Sequence, residues 1–175
     1  QPPKYVGFLY KKGKYLPHYN LRYVQLDPLK GLFFRYAKKE DYPSKPLEVL
    51  LLKDFINSKM SNDSSEKYFY LEATFESNHL FRFESKEACN NWNDAINKCS
   101  SYTKYWDNLT KEYMDIPLYL SSLSSDIVEI NYQNGEIEYF SNKPESPTNN
   151  QVTINQQSEN INQKTDVPTN GLIIN

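Results

Sequence analysis

Short runs of apolar, aromatic and β-branched side chains with polar residues interleaved occupy residues 5–11, 20–26, 32–37, 47–52, 68–74 and 79–84. A period of two sends successive side chains to opposite faces of an extended backbone, so each run is expected to be a strand. Asp27-Pro28-Leu29-Lys30-Gly31 parts the second run from the third, with Pro and Gly where a turn needs them. Residues 53–67 (KDFINSKMSNDSSEK) open with a short helical turn and pass into an Asn/Ser/Asp cluster, the composition of an exposed loop. Six or seven short strands with turns between them indicate an all-β sandwich or barrel.

From Ser85 onward the period changes. Ala88, Cys89, Trp92, Ala95, Ile96 and Cys99 form one stripe at helical spacing, with Ser85 placed to cap it. One amphipathic helix after an antiparallel meander is expected to stopper one end of the barrel, with Trp92 as its largest buried contact. A second helical stripe over 102–116 runs through Tyr102, Tyr105, Trp106, Leu109 and Tyr113, and Pro117 limits it. Residues 126–132 and 136–140 flank an Asn134-Gly135 turn within an extension over 117–140, which reads as a hairpin. Residues 141–175 are rich in Asn, Gln, Ser, Thr and Pro, a composition expected to stay disordered.

Two cations fall in phase with the core. Leu9 and Lys11 share one strand face, and Asn20, Arg22, Val24 and Leu26 share another. Leu9, Val24 and Leu26 belong inside, whereas an unpaired buried charge costs several kcal/mol. Lys11 and Arg22 are therefore expected at an open, positively charged mouth. Residues 1–50 hold ten Lys/Arg against four Asp/Glu, a balance of +6, and residues 51–175 hold ten against eighteen, a balance of −8. That asymmetry suits a field steering an anionic partner toward the N-terminal strands.

Other chemistries find little support. No apolar run approaches 18 residues, the N-terminus lacks a signal-peptide pattern, and Gln1 in place of an initiator Met suggests a piece of a longer protein. Cys89 and Cys99 stand ten residues apart, about 15 Å along one helix, too far for a disulfide and consistent with a reducing, intracellular setting. Two His and two Cys make no metal-ligand pattern, and five Gly make no phosphate-cradling loop. The expectation is a non-enzymatic module with no catalytic residue, metal or cofactor.

Gly7-x-Leu9-x-Lys11-x-Gly13, a five-residue spacer, and Tyr19-Asn20-x-Arg22-Tyr23-Val24-x-Leu26 resemble the opening hairpin of the pleckstrin-homology family. That hairpin typically reads Gly-x-Leu-x-Lys-x-Gly, then Trp-Lys-x-Arg-Trp-Phe-x-Leu. Here Tyr19 and Tyr23 replace the two Trp, Asn20 the Lys and Val24 the Phe. The helix from Ser85 through Trp92 to Ile96 is similar to the family's closing helix, and the likeness covers residues 4–101. Within the family, residues 11–23 look closest to the hairpin of protein kinase B, although no kinase accompanies them. The resemblance implies a mainly-β fold, a seven-stranded antiparallel barrel or sandwich capped by a C-terminal α-helix.

It also implies site residues. Lys11 and Arg22 match the Lys and Arg that grip inositol phosphates, while Asn20 withholds a cation. A third-strand Tyr often adds a hydroxyl; register leaves Tyr36 or Phe34 for that place, and only Tyr36 carries the group. Lys45 stands ready before the fourth strand, and Asn78-His79 resembles a pair that some members place on a ring phosphate. Lys12 and Lys14 add attraction to an anionic leaflet. Tyr15, Leu16 and Pro17 at the loop tip either insert into lipid or pack within the loop.

Three functions follow. The first is a cytoplasmic module recruited peripherally to membrane phosphoinositides. The second is a protein-interaction module on the same scaffold, binding another protein or a neighbouring domain. The third, single-strand nucleic-acid binding, has Arg22-Tyr23 and Phe33-Phe34-Arg35-Tyr36 in its favour. A sequence pI of about 5.8 and rim-located cations count against it, so no nucleic-acid partner is expected.

Overall fold

Period-two patterning produces seven antiparallel strands: β1 (Lys4–Lys12), β2 (Tyr19–Asp27), β3 (Leu32–Tyr36), β4 (Glu48–Leu51), β5 (Asn57–Asn62), β6 (Phe69–Thr74) and β7 (Asn78–Phe83). They are followed by helix α1 (Lys86–Glu112) and a hairpin of β8 (Ile127–Ile130) and β9 (Ile137–Phe140). The structure, a computed structural model, describes residues 1–65, 67–112 and 126–141. The main path through the sheet runs β4-β3-β2-β1-β7-β6-β5, and among the described residues β4 and β5 do not pair, so the sheet curls without closing. The expected mainly-β, seven-stranded fold with its C-terminal helix is present; hydrogen-bonded closure into a barrel is not.

Leu9, Val24, Leu26, Phe33, Leu71, Phe81 and Phe83 point inward from the strands and meet Ala88, Cys89, Trp92, Ile96 and Cys99 of α1 in one core. Trp92 is fully buried, as the stripe predicts. Ser85 Oγ accepts the Ala88 N–H at 3.0 Å, satisfying one of the donors that a helix start leaves free. The outer face of β1–β3 carries a smaller cluster of Val6, Tyr23 and Tyr36, packed with Phe8, Phe34 and Tyr42.

Two elements differ from expectation. The 53–67 stretch holds a full strand, β5 (NSKMSN), paired along its length with β6. Its side chains are mostly exposed, so composition hides an edge strand whose order comes from the β6 ladder. The two helical stripes form a single helix that runs unbroken through Ser100 and Ser101. Ser100 Oγ donates to the Leu52 carbonyl at 2.7 Å and Lys104 Nζ reaches the Phe55 carbonyl, so the helix is fastened to the 52–55 turn just past its midpoint.

The Asn-Gly hairpin is present and is part of the core. β8 pairs in parallel with β1 (Lys4↔Ile127, Val6↔Glu129), while β1 meets β7 through Tyr10 and Lys11 further along. Val128 and Ile130 are buried among the core side chains. Gly7 makes this possible, because a Cβ there would collide with the Ile130 carbonyl and press on Trp92. Gly135, at φ +78°, lets the turn lie on the start of α1, where Asn91 Nδ2 donates to its carbonyl at 2.8 Å. The packed unit therefore runs past residue 101. The Pro117 helix limit and, past Ser141, the expectation of a disordered tail over 141–175 lie outside the described residues.

Candidate anion-binding cavity

Ladder register decides which polar groups meet at the open end of the sheet. Leu9 stands opposite Arg22, Lys11 opposite Asn20, Val24 opposite Arg35, and Arg35 opposite Glu48. Directly opposed residues share a face, so the inward stripe that begins as Leu9, Val24 and Phe33 ends as Lys11, Arg22 and Arg35. From the far side β7 adds His79, two residues from core Phe81 on the same face. These groups line a cavity of about 650 Å³.

Lys11 Nζ donates to the Lys12 carbonyl at 3.1 Å and lies 5.8 Å from the Phe81 ring centroid. Arg22 Nη1 donates to the Leu21 carbonyl at 2.9 Å. Neither cation has a carboxylate within ion-pair distance among the described residues. Arg35 does: its Nε donates to Glu48 Oε2 at 2.8 Å. His79 is 5% exposed, with Ser77 Oγ 3.3 Å from Nε2 and, among the described residues, no hydrogen-bond partner at Nδ1.

The electrostatics describe a cavity short of negative charge. Burial lowers the Lys11 pKa; the Glu48 charge opposes that and the Arg35 charge adds to it. Burial and the Arg35 charge likewise lower Arg22. His79 sits below its ordinary value, first through burial and then through Lys11, with Glu48 pulling the other way and Arg35 adding to the fall. Glu48 is pushed up by burial, yet the Arg35 hydrogen bond and the charges of Arg35, His79 and Lys11 outweigh this and hold it below the usual carboxylate range. A bound anion would stabilise the charged forms of Lys11, Arg22 and His79 together.

Lys12, Lys14 and Asn20 line the same cavity from the hairpin. Tyr36 does not. Its parity is that of Tyr23, its side chain is 1% exposed in the outer-face cluster, and its hydroxyl approaches the Pro43 carbonyl at 3.5 Å. Phe34 shares that outer parity, so neither alternative reaches the cavity; the inward third-strand residue there is Arg35. Lys45 is also absent from the lining: it is exposed on the β3–β4 connection, its N–H bonded to the Asp41 carbonyl at 2.9 Å. Arg35 and Glu48 were missed. The available signal was parity, because Phe33 and Arg35 alternate in step with Leu26 once the Asp27↔Leu32 pairing sets the turn.

Beyond Lys14 the loop tip leaves the protein surface. Tyr15 is 86% exposed and Leu16 63%, with Lys14 Nζ 5.4 Å from the Tyr15 ring centroid. Packing within the loop does not cover them.

The family model for the PH domain matches residues 3–101. No curated protein matches the chain at a significant level. Among solved structures, the human oxysterol-binding-protein-related protein 11 PH domain is 17% identical, covering 60% of this chain and 86% of its own at a TM-score of 0.48. The C-terminal PH domain of pleckstrin is 20% identical over 54% of this chain and 94% of its own, with a TM-score of 0.42. The Slm1 PH domain, solved in complex with inositol-4-phosphate, is 22% identical over 54% of this chain and 92% of its own, with a TM-score of 0.43.

Proposed function

The chain belongs to the pleckstrin-homology domain family, and on that premise we propose that its basic cavity binds the phosphorylated inositol headgroup of a membrane lipid. PH domains are generally non-catalytic modules, so the chemistry is recognition. The observation that carries the reading is Lys11 with Arg22: two cations on one inward face, partly desolvated, resting on backbone carbonyls with no described carboxylate to satisfy them. Arg22 offers a planar fork to a phosphate and Lys11 a compact charge nearer the loop.

The loop tip supplies the membrane geometry. Lys12 and Lys14 border the cavity, and Tyr15 and Leu16 project beyond them, so a headgroup in the cavity brings these apolar side chains to the lipid interface. Among the described residues no helix is long and apolar enough to cross a membrane. Attachment by this route is peripheral. Asn20 leaves one cation out, which suits an affinity on the order of micromolar, about −8 kcal/mol.

The test is titration of soluble inositol phosphates, with sedimentation of phosphoinositide-containing and phosphoinositide-free vesicles in parallel. Arg22→Ala should weaken binding more than Lys14→Ala, and Asn20→Lys should tighten it. Absence of saturable binding in both wild type and Asn20→Lys defeats the lipid reading. The protein-interaction reading then takes its place. Leu47, Val49 and Leu51 favour it, standing 44–55% exposed on alternate positions of the edge strand β4 and the residue before it.

A further inference from the structure

Resting on that reading of the cavity, the geometry points to Glu48 as a specificity-determining residue that occupies one anion seat, so that the site takes a headgroup with few phosphates. Arg35 brings one of the three permanent charges on the inward stripe, and Glu48 already holds it through the 2.8 Å bond from Nε. The pair straddles the β3–β4 ladder at one end of the cavity, while Lys11 and Arg22 stand on β1 and β2 without such a partner among the described residues. One side of the cavity is therefore ready for a phosphomonoester. The other presents a carboxylate, which accepts hydrogen bonds from ring hydroxyls and repels a second phosphate.

The surroundings support this division. Asn20 and Ser77 also line the cavity and offer neutral polar groups suited to hydroxyls. Glu48 is held ionised by its neighbours, so at neutral pH the repulsion persists and is not relieved by protonation. Glu72 also borders the cavity, but it pairs with Leu80 on β7 and so alternates to the face opposite Ala73 and His79, away from the inward stripe. Charge at short range in a partly desolvated site is weakly screened, so removing Glu48's charge should act mainly on the most highly charged ligands.

The experiment compares soluble inositol mono-, bis- and trisphosphates by calorimetric titration at one salt concentration, using wild type, Glu48→Gln and Glu72→Gln. The Gln amide oxygen still accepts from Arg35, so the β3–β4 pairing is kept; a thermal melt verifies this, and Glu48→Ala serves as a second variant. The expected result is a rise of about tenfold or more in the trisphosphate-to-monophosphate affinity ratio for Glu48→Gln, with Glu72→Gln close to wild type. Measurable binding with an unchanged ratio in both Glu48 variants overturns the role of Glu48 and leaves the headgroup reading standing. No binding of any ligand to any of the proteins overturns both.

Discussion

Ser77 Oγ lies 3.3 Å from Nε2 of His79, a residue 5% exposed whose Nδ1 has no hydrogen-bond partner among the described residues. The ring faces Lys11 from β1, Arg35 from β3 and Glu48 from β4, and it packs edge-on against Phe75. Its pKa lies below the ordinary 6.5, chiefly through burial. An anion in the cavity should raise that value, so the complex holds more protons than the free protein. Affinity for a soluble inositol phosphate should therefore rise as pH falls from 8 to 6. Calorimetry in two buffers of different ionisation enthalpy should show proton uptake. His79→Gln should flatten the profile relative to wild type, a comparison that cancels titration of the ligand itself.

The same shift predicts a stability change of opposite sense in the free protein. A histidine with a depressed folded pKa binds fewer protons folded than unfolded, so its stabilising contribution is complete above about pH 6.5. That contribution is lost as pH falls through the folded pKa. Urea unfolding of wild type should show falling stability below pH 6.5, with a shallower slope for His79→Gln. Equal slopes would falsify the assignment.

Tyr36 separates the family-based expectation from the observed register. Its hydroxyl lies on the outer face and, among the described residues, makes a long approach to the Pro43 carbonyl. Tyr36→Phe should leave inositol phosphate affinity unchanged and alter stability by less than about 1 kcal/mol. Arg35→Ala should weaken binding. A tenfold loss in Tyr36→Phe would mean that β3 presents its other face.

The C-terminal hairpin should behave as core. Ile130→Ala removes a buried side chain behind Gly7 and should cost about 2–5 kcal/mol in denaturant unfolding. Gly7→Ala should be destabilising through collision with the Ile130 carbonyl, although an exposed strand position would tolerate it. Surface-like values for both substitutions would show that the fold ends before the hairpin.

Trp92 fills the space between helix and sheet and is fully buried. Trp92→Ala should cost roughly 3–5 kcal/mol. A loss below about 0.5 kcal/mol would remove α1 from the core.

Six of the first seven strands, the capped helix and the Asn-Gly turn were written in local signals: a period of two, a period of 3.6, Ser85 and Asn134-Gly135. Those signals act within a few residues, which is why they can be read from the chain alone. Lys11 and Arg22 were also legible, because an alternation of core residues that ends in two cations implies an opening. What lay beyond reach depended on partners distant in sequence. β5 is polar and exposed, and only its ladder with β6 makes it a strand. Whether Arg35 or Tyr36 enters the cavity turns on a one-residue register, since a shift of one inverts every side chain on a strand. The seat of Glu48 beside Arg35, and of Ile130 against Gly7, came from packing between segments 13 and more than 100 residues apart. Local patterning determined the elements and the sign of the cavity; the tertiary structure alone decided which carboxylate shares it.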